Sequence, residues 1–233
     1  MKIIQAQLVA ALAVLTTVAP MTAMGDAGRF QFVFGSVEVV DKDGNVRAVK
    51  RGSRVEEGDT IRTANRASAQ LKMVDGAALA VRSQTEIRID NYSFNDEEKE
   101  DKSFFSLVRG ALRSITGLIG KSKRGNVRVS TTTATIGIRG SDADIGHNPI
   151  TGLSAVRTLS GGHSITSPDA NGQPVTLHTN AGQIAVASPG QSPAFARIFP
   201  SFAGNAVPRT GDAGGDTDSS SGGGDGQSGQ GDG

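Results

Sequence analysis

Pairs of apolar residues recur along the middle of the chain at an interval of eight: Leu71 and Met73, then Leu79 and Val81, then Ile87 and Ile89. Side chains alternate faces along a β-strand, so each pair lies on one buried face. Asp75-Gly76 and Ser83-Gln84 stand between the pairs. A strand of about five residues and a turn of about three fit the interval. The same alternation predicts strands over 32–40 and 47–49, joined by a turn at Asp43-Gly44-Asn45. Further strands are expected at 127–129, 135–138, 155–159, 175–178 and 183–186. The expected class is all-β, with many short strands. A meander, a twisted sandwich and a β-solenoid all generate such a run, and periodicity does not separate them.

Composition agrees with this class. Aromatics make up 4 % of the chain, with no Trp and one Tyr, so the core must be built from Val, Ile, Leu and Ala. The 31 glycines imply frequent tight turns. A net charge of +1 supplies no global field for nucleic acid or an anionic membrane. The absence of Cys excludes disulfides, thiol nucleophiles, Cys-zinc sites and iron–sulfur clusters.

Four zones follow along the chain. Residues 1–27 read as a secretory signal peptide: Lys2, an apolar stretch from Leu8 to Val18, then Pro20 and small residues suited to cleavage after Ala23, Gly25 or Ala27. Residues 28–145 hold most of the alternating apolar pattern, and 146–200 continue it with more Ser, Thr and Gly. Residues 201–233 form a tail that turns almost wholly to Gly, Ser, Asp, Gln and Thr, a composition that cannot offset the entropy of ordering, so disorder is expected there. No second apolar segment is long enough to span a bilayer.

One stretch disagrees with the strand pattern. Over 103–120 the residues Phe104, Leu107, Val108, Ala111, Leu112, Ile115, Leu118 and Ile119 recur at three-four spacing, which taken alone is an amphipathic helix. Gly110, Gly117 and Gly120 each weaken a helix by about 1 kcal/mol relative to Ala. A short helix near 116–121 remains open.

The order of blocks from Phe34 to Ile145 resembles the FecR domain family. The blocks are Gly35-Ser36-Val37-Glu38-Val39; the turn Gly44; Gly52 with Gly58-Asp59-Thr60-Ile61-Arg62-Thr63; and Ala69-Gln70-Leu71-Lys72-Met73-Val74-Asp75-Gly76. Leu107-Val108-Arg109-Gly110-Ala111-Leu112-Arg113 and Thr133-Ala134-Thr135-Ile136-Gly137-Ile138-Arg139-Gly140-Ser141 follow. The family usually carries Thr where this chain has Ser141, a change that keeps the hydroxyl. Asn180-Ala181-Gly182-Gln183-Ile184 resembles the strand that often closes such proteins. The resemblance implies a periplasmic domain of short curved strands, solenoid-like, and also argues for strands over part of 103–120. The family's founding members are anti-sigma regulators that span the inner membrane. This sequence shows neither a cytoplasmic anti-sigma domain nor an internal span, so the expectation is the sensing or binding half of that arrangement.

The motif residues read first as structural. Gly58-Asp59 and Asp75-Gly76 are turn pairs, in which Asp bonds backbone amides and Gly supplies positive φ. Arg139, between Gly137 and Gly140, points opposite Ile136 and Ile138 and suits pairing with a carboxylate or backbone carbonyls within the fold. His147, His163 and His178 stand beside Gly, Ser, Thr or Asn and read as exposed loop residues rather than a zinc site. No Gly-x-Ser-x-Gly elbow, Walker loop or dinucleotide fingerprint is present, so no catalytic residue is assigned and no cofactor is expected.

The acidic run Asp96, Glu97, Glu98, Glu100 and Asp101 reads as a solvated loop. The basic residues Arg109, Arg113, Lys121, Lys123, Arg124 and Arg128 read as a solvated face or as a patch for an anion or an acidic partner. Stacking aromatics do not accompany them, which argues against nucleic acid. The tail shares a faint likeness with calcium-binding Gly-Gly-x-Gly-x-Asp repeats but lacks their apolar position. The resulting expectation is an exported, non-enzymatic binding or sensing module of the periplasm whose partner is an envelope protein. The alternative is a secreted or surface-associated structural protein that binds glycan.

Overall fold

The computed structural model describes residues 25–94, 101–122, 125–139 and 142–202. The expected signal peptide (apart from residues 25–27), the acidic residues 96–100, Lys123, Arg124, Gly140, Ser141 and the tail beyond 202 lie outside the described residues.

Among the described residues, seventeen strands and one short helix follow one another. The first eight strands are β1 (Asp26–Phe34), β2 (Val37–Val40), β3 (Val46–Ala48), β4 (Arg54–Glu56), β5 (Thr60–Thr63), β6 (Ser68–Met73), β7 (Ala78–Val81) and β8 (Glu86–Ser93). A long central strand, β9 (Lys102–Ile115), leads into α1 (Leu118–Ser122). Then come β10 (Val127–Ser130), β11 (Thr135–Ile138), β12 (Asp142–His147) and β13 (Ser154–Ser160). The last four are β14 (Gly162–Pro168), β15 (Pro174–Asn180), β16 (Ile184–Ala187) and β17 (Ala194–Ala196).

The strands divide between two sheets. The first runs β4-β1-β6-β7-β9-β12-β13-β16-β17. The second runs β3-β2-β5-β8-β9-β10-β11-β14-β15. Every pairing is antiparallel except β9 with β10, whose link passes through the rest of β9 and α1. The sheets share one core. Leu71, Leu79, Val81, Leu112 and Ile145 come from the first sheet, and Val39, Ile61, Ile87, Ile89, Leu107, Ile136 and Ile138 from the second. The arrangement is a two-layer sandwich, one of the three architectures the periodicity allows. All six residues of the eight-residue repeat are at most 2 % exposed, and burying each side chain contributes about 1.5–3 kcal/mol.

β9 belongs to both sheets. Its first part, to Arg109, pairs with β8 and β10, and its second part pairs with β7 and β12. The crossing is at Gly110, where φ is +88°. A Cβ there would lie 2.6 Å from the Thr85 Cα, so only glycine fits. This crossing corrects the helical reading of 103–120. Phe105 and Leu107 point inward before it, and Leu112 and Ser114 after it. The slip of alternation at the crossing sets apolar residues at three-four spacing, which imitates a helix. The short helix left open near 116–121 is present as α1, with Ile119 fully buried.

A second correction concerns 32–40. A turn at Gly35, where φ is +69°, splits this stretch into β1 and β2, which lie in different sheets. Phe32 and Phe34 consequently face outward, 49 % and 60 % exposed.

Candidate interaction surface

The two turn pairs expected from sequence bind internal partners. Gly58 and Gly76 have φ of +90° and +86°. The Asp59 carboxylate accepts from the Glu56 amide and the Arg47 guanidinium, both at 3.1 Å. Burial nevertheless pushes the Asp59 carboxyl above its usual range, because desolvation outweighs those bonds. Asp75 is 1 % exposed and does more than close a turn. Its Oδ1 accepts from the Ala77 amide at 3.0 Å and the Tyr92 hydroxyl at 2.9 Å. Its carbonyl accepts from the Leu118 amide at 2.9 Å, tying α1 to the turn. Burial, with a smaller contribution from the Asp75 charge, holds the Tyr92 phenol above its ordinary value.

Gly137 sits in β11 opposite Arg128 on one side and Ser164 on the other, and a Cβ there would lie 2.7 Å from Ser164 Oγ. Arg139 follows the last residue of β11 and is exposed. Its amide donates to the Gly162 carbonyl at 3.2 Å, and its side chain forms no salt bridge with a described carboxylate.

The histidines depart from the loop reading. All three are on strands, and His147 and His163 are each 1 % exposed. His147 Nδ1 lies 3.0 Å from Ser154 Oγ and its Nε2 lies 3.1 Å from Thr132 Oγ1. His163 Nδ1 lies 3.0 Å from Thr158 Oγ1, which in turn is 2.7 Å from Thr179 Oγ1. His163 Nε2 has no hydrogen-bond partner among the described residues. Burial lowers the His147 imidazole from its ordinary value and lowers that of His163 to about 4. His178 is exposed, on β15. Small polar neighbours signal a loop only where the backbone is unpaired. Here the same residues are the imidazoles' buried partners. Among the described residues no three His, Asp or Glu are grouped to hold a metal ion.

Of the basic residues, the four described ones (Arg109, Arg113, Lys121 and Arg128) do not all lie on one face. Arg109 pairs with Glu86 at 3.4 Å. Arg113, on the outer face of the first sheet, grips Asp142 through Nε at 2.9 Å and a terminal nitrogen at 2.5 Å. Arg128, on the outer face of the second sheet, lies 5.0 Å over the Phe104 ring. Lys121 is exposed on α1.

A charged cluster absent from the sequence reading lies beside Arg113. Asp144, 2 % exposed, accepts from Arg82 at 2.8 Å and from Arg157, whose Nε donates at 3.0 Å. The alternation of Asp142 and Asp144 on β12 places both on one face, a signal visible in sequence. Their partners come from β13, β9 and the residue after β7, which periodicity does not bring together. The adjacent outer face is covered by the chain's own C-terminal segment. Phe202 packs on Ala111 and Ala155, a Cβ at Gly146 would collide with its ring, and Phe199 lies 5.2 Å under the Arg157 guanidinium.

Comparison with known proteins places this arrangement. Residues 59–161 match the family model described as FecR protein. That segment is a FecR domain. It begins in the Gly58-Asp59 turn, contains the crossing strand β9 and ends at Gly161, between β13 and β14. Strands β1–β4 and β14–β17 extend the two sheets of the FecR domain on either side. Two crystal structures of a candidate anti-sigma factor from Parabacteroides distasonis are similar to the chain. Each shows 13 % identity and a TM-score of 0.45, over 59 % of this chain and 58 % of that one. The chain therefore spans under two thirds of that protein's length. No curated protein matches the chain. No helix among the described residues is long and apolar enough to cross a membrane.

Proposed function

We propose that the chain is an exported, non-enzymatic signalling module of the periplasm that works by binding another envelope protein. The FecR domain over residues 59–161 is the observation that carries this reading. The fate of its polar groups supports it. Asp59, Asp75, Asp144 and His147 are each engaged by neighbouring protein groups, as structural residues are. The signal-like N-terminus points to export. The test is affinity capture of the chain from cross-linked envelope fractions, together with its distribution between periplasm and medium. A periplasmic chain that enriches an outer-membrane receptor or an inner-membrane regulator supports the proposal. A chain found only in the medium, or one that captures glycan alone, overturns it.

One observation favours a glycan-binding reading instead. Ser106, Ser130, Thr135, Thr166 and Thr176 stand opposite one another across β9, β10, β11, β14 and β15. They form a row of hydroxyls on the outer face of the second sheet, two residues along β9 and β10 from the Phe104–Arg128 stack. Retention on immobilised envelope polysaccharide, lost when Thr135 and Thr166 are both changed to Val, would decide for that reading.

A further inference from the structure

The two ends of the sandwich are finished differently. At one end the edge strands β3 and β4 are three residues each and carry Arg47, Arg54 and Glu56. There the Arg47 guanidinium donates to the Arg54 carbonyl at 2.8 Å, bridging the two sheets. At the other end the edges are β15 and β17. β15 is seven residues long, pairs only with β14 among the described residues, and carries no Lys, Arg, Asp or Glu and no bulge. Charge, bulges and proline are the usual protections of an edge strand, and only Pro174 at its start supplies one here.

The preceding turn determines which backbone groups of β15 are unpaired. The Asp169 amide donates to the Gln173 carbonyl at 2.9 Å and the Gly172 amide to the Asp169 carbonyl at 3.0 Å. Hydrogen-bonded and non-bonded pairs alternate along an antiparallel ladder. Val175, Leu177 and Thr179 therefore bond to β14, while Thr176 and His178 turn their N–H and C=O groups outward. The outward amide of Asn180 is taken by Gln183 Oε1 at 2.8 Å, and its carbonyl by the Gln183 amide at 3.0 Å. Pro174 has no N–H to offer. Apart from the Pro174 carbonyl, what remains is a short window over residues 176–178 that offers both N–H and C=O groups, symmetric about Leu177. Beside it, on the inner side of each sheet, are half-buried Val175 and Leu177 and the Phe195 ring, which is 56 % exposed.

We propose that this open end is a self-association surface, on which β15 of a second copy pairs antiparallel with β15 about a two-fold axis through Leu177. In that register Thr176 meets the second copy's His178 and His178 meets its Thr176, so the four outward amides and carbonyls of each window are all satisfied. Leu177 faces its own counterpart, which covers apolar surface at the mouth of the core, and no like charges oppose each other. The window's symmetry selects a second copy: beyond it a longer heterologous strand gains only the Pro174 carbonyl, because Asn180 is capped and Pro174 has no N–H. Such a contact is isologous and closes after two copies. Its small size places it among weak, concentration-dependent associations.

Sedimentation velocity of the full chain, as recovered from the producing cell, over about 10 μM to 1 mM tests this, a range suited to weak association. The expected result is a reversible monomer–dimer equilibrium. Thr176→Pro should weaken it at least about tenfold, because proline at an edge removes an outward N–H while sparing the ladder. His178→Lys, which leaves the backbone intact, should act in the same direction by placing charge on the edge. A chain that stays monomeric at every concentration overturns the proposal. So does a dimer that both variants leave intact while their thermal unfolding matches the parent.

Discussion

The halves of the sandwich on either side of β9 are built on the same plan but held together differently. In the half made of β1–β8, the strands bury Val39, Ile61, Leu71, Met73, Leu79, Ile87 and Ile89, and of the buried polar groups, Asp59, Asp75 and Thr85 stand in turns and only Thr63, the last residue of β5, on a strand. In the half made of β10–β17, the strands themselves bury His147, Ser154, Thr158, His163, Ser164, Ser167 and Thr179 alongside Ile136, Ile145 and Ile165. Cohesion in the first half comes mainly from removing apolar surface from water, which is non-directional. Cohesion in the second half depends also on hydrogen bonds between named groups, and an unmet buried donor or acceptor there costs about 1–3 kcal/mol. The first half should therefore respond to lost volume, and the second to lost partners and to protonation.

The largest expected effect joins the halves rather than separating them. Gly110→Val forces a branched side chain into positive φ and against the Thr85 backbone, and should cost about 4 kcal/mol or prevent folding. Equilibrium urea unfolding measures it, and a loss under about 1 kcal/mol would show that the crossing of β9 tolerates a side chain.

Within the first half, Leu71→Ala should cost about 3 kcal/mol, with the same loss at pH 7 and pH 4.5. A loss that differs between the two pH values would remove the distinction between the halves.

Acid should act on the second half. His163 titrates at about 4 in the folded chain, against about 6.5 for a free imidazole. The unfolded chain thus takes up a proton below pH 6.5 that the folded chain refuses until about pH 4. Stability from this group is complete above pH 6.5 and is lost as pH falls toward 4, by about 2–3 kcal/mol. Urea midpoints across that range should fall for the parent and fall less for His163→Leu. Parallel curves for the two proteins would show that the imidazole is not kept neutral by burial.

The smallest effect is at Thr158, whose hydroxyl joins His163 and Thr179. Thr158→Val keeps the shape and removes the link, and should cost about 1–2 kcal/mol. The double variant with His163→Leu should cost less than the sum of the single changes, because the second change removes a group the first left unpartnered.

Legibility differed between these regions for the same reason. The repeat from Leu71 to Ile89 was readable because burial on one face of a strand imposes a period of two on one segment alone. The turns at Gly58-Asp59 and Asp75-Gly76 were readable because their chemistry is local. His147 and His163 were misread because their partners Ser154, Thr132 and Thr158 resemble loop residues until pairing between strands closes around them. The basic residues lie near one another in sequence, but Arg113 and Arg128 are on the outer faces of different sheets. The Asp144 cluster went unseen because its arginines, Arg82 and Arg157, are 62 and 13 residues away.

By itself, then, the sequence determined the all-β class, the positions of most strands and turns, the aliphatic core of the first half and the likeness to the FecR family. Each of these follows from local periodicity, from turn chemistry or from an ordered set of short motifs. Tertiary structure alone decided that the strands form two sheets, that β9 crosses between them at Gly110, that two histidines are interior groups, and that the edge at β15 is left unpaired among the described residues. Those outcomes depend on which strands become neighbours, and strand neighbours are chosen by the joint burial of both sheets rather than by any segment's own pattern.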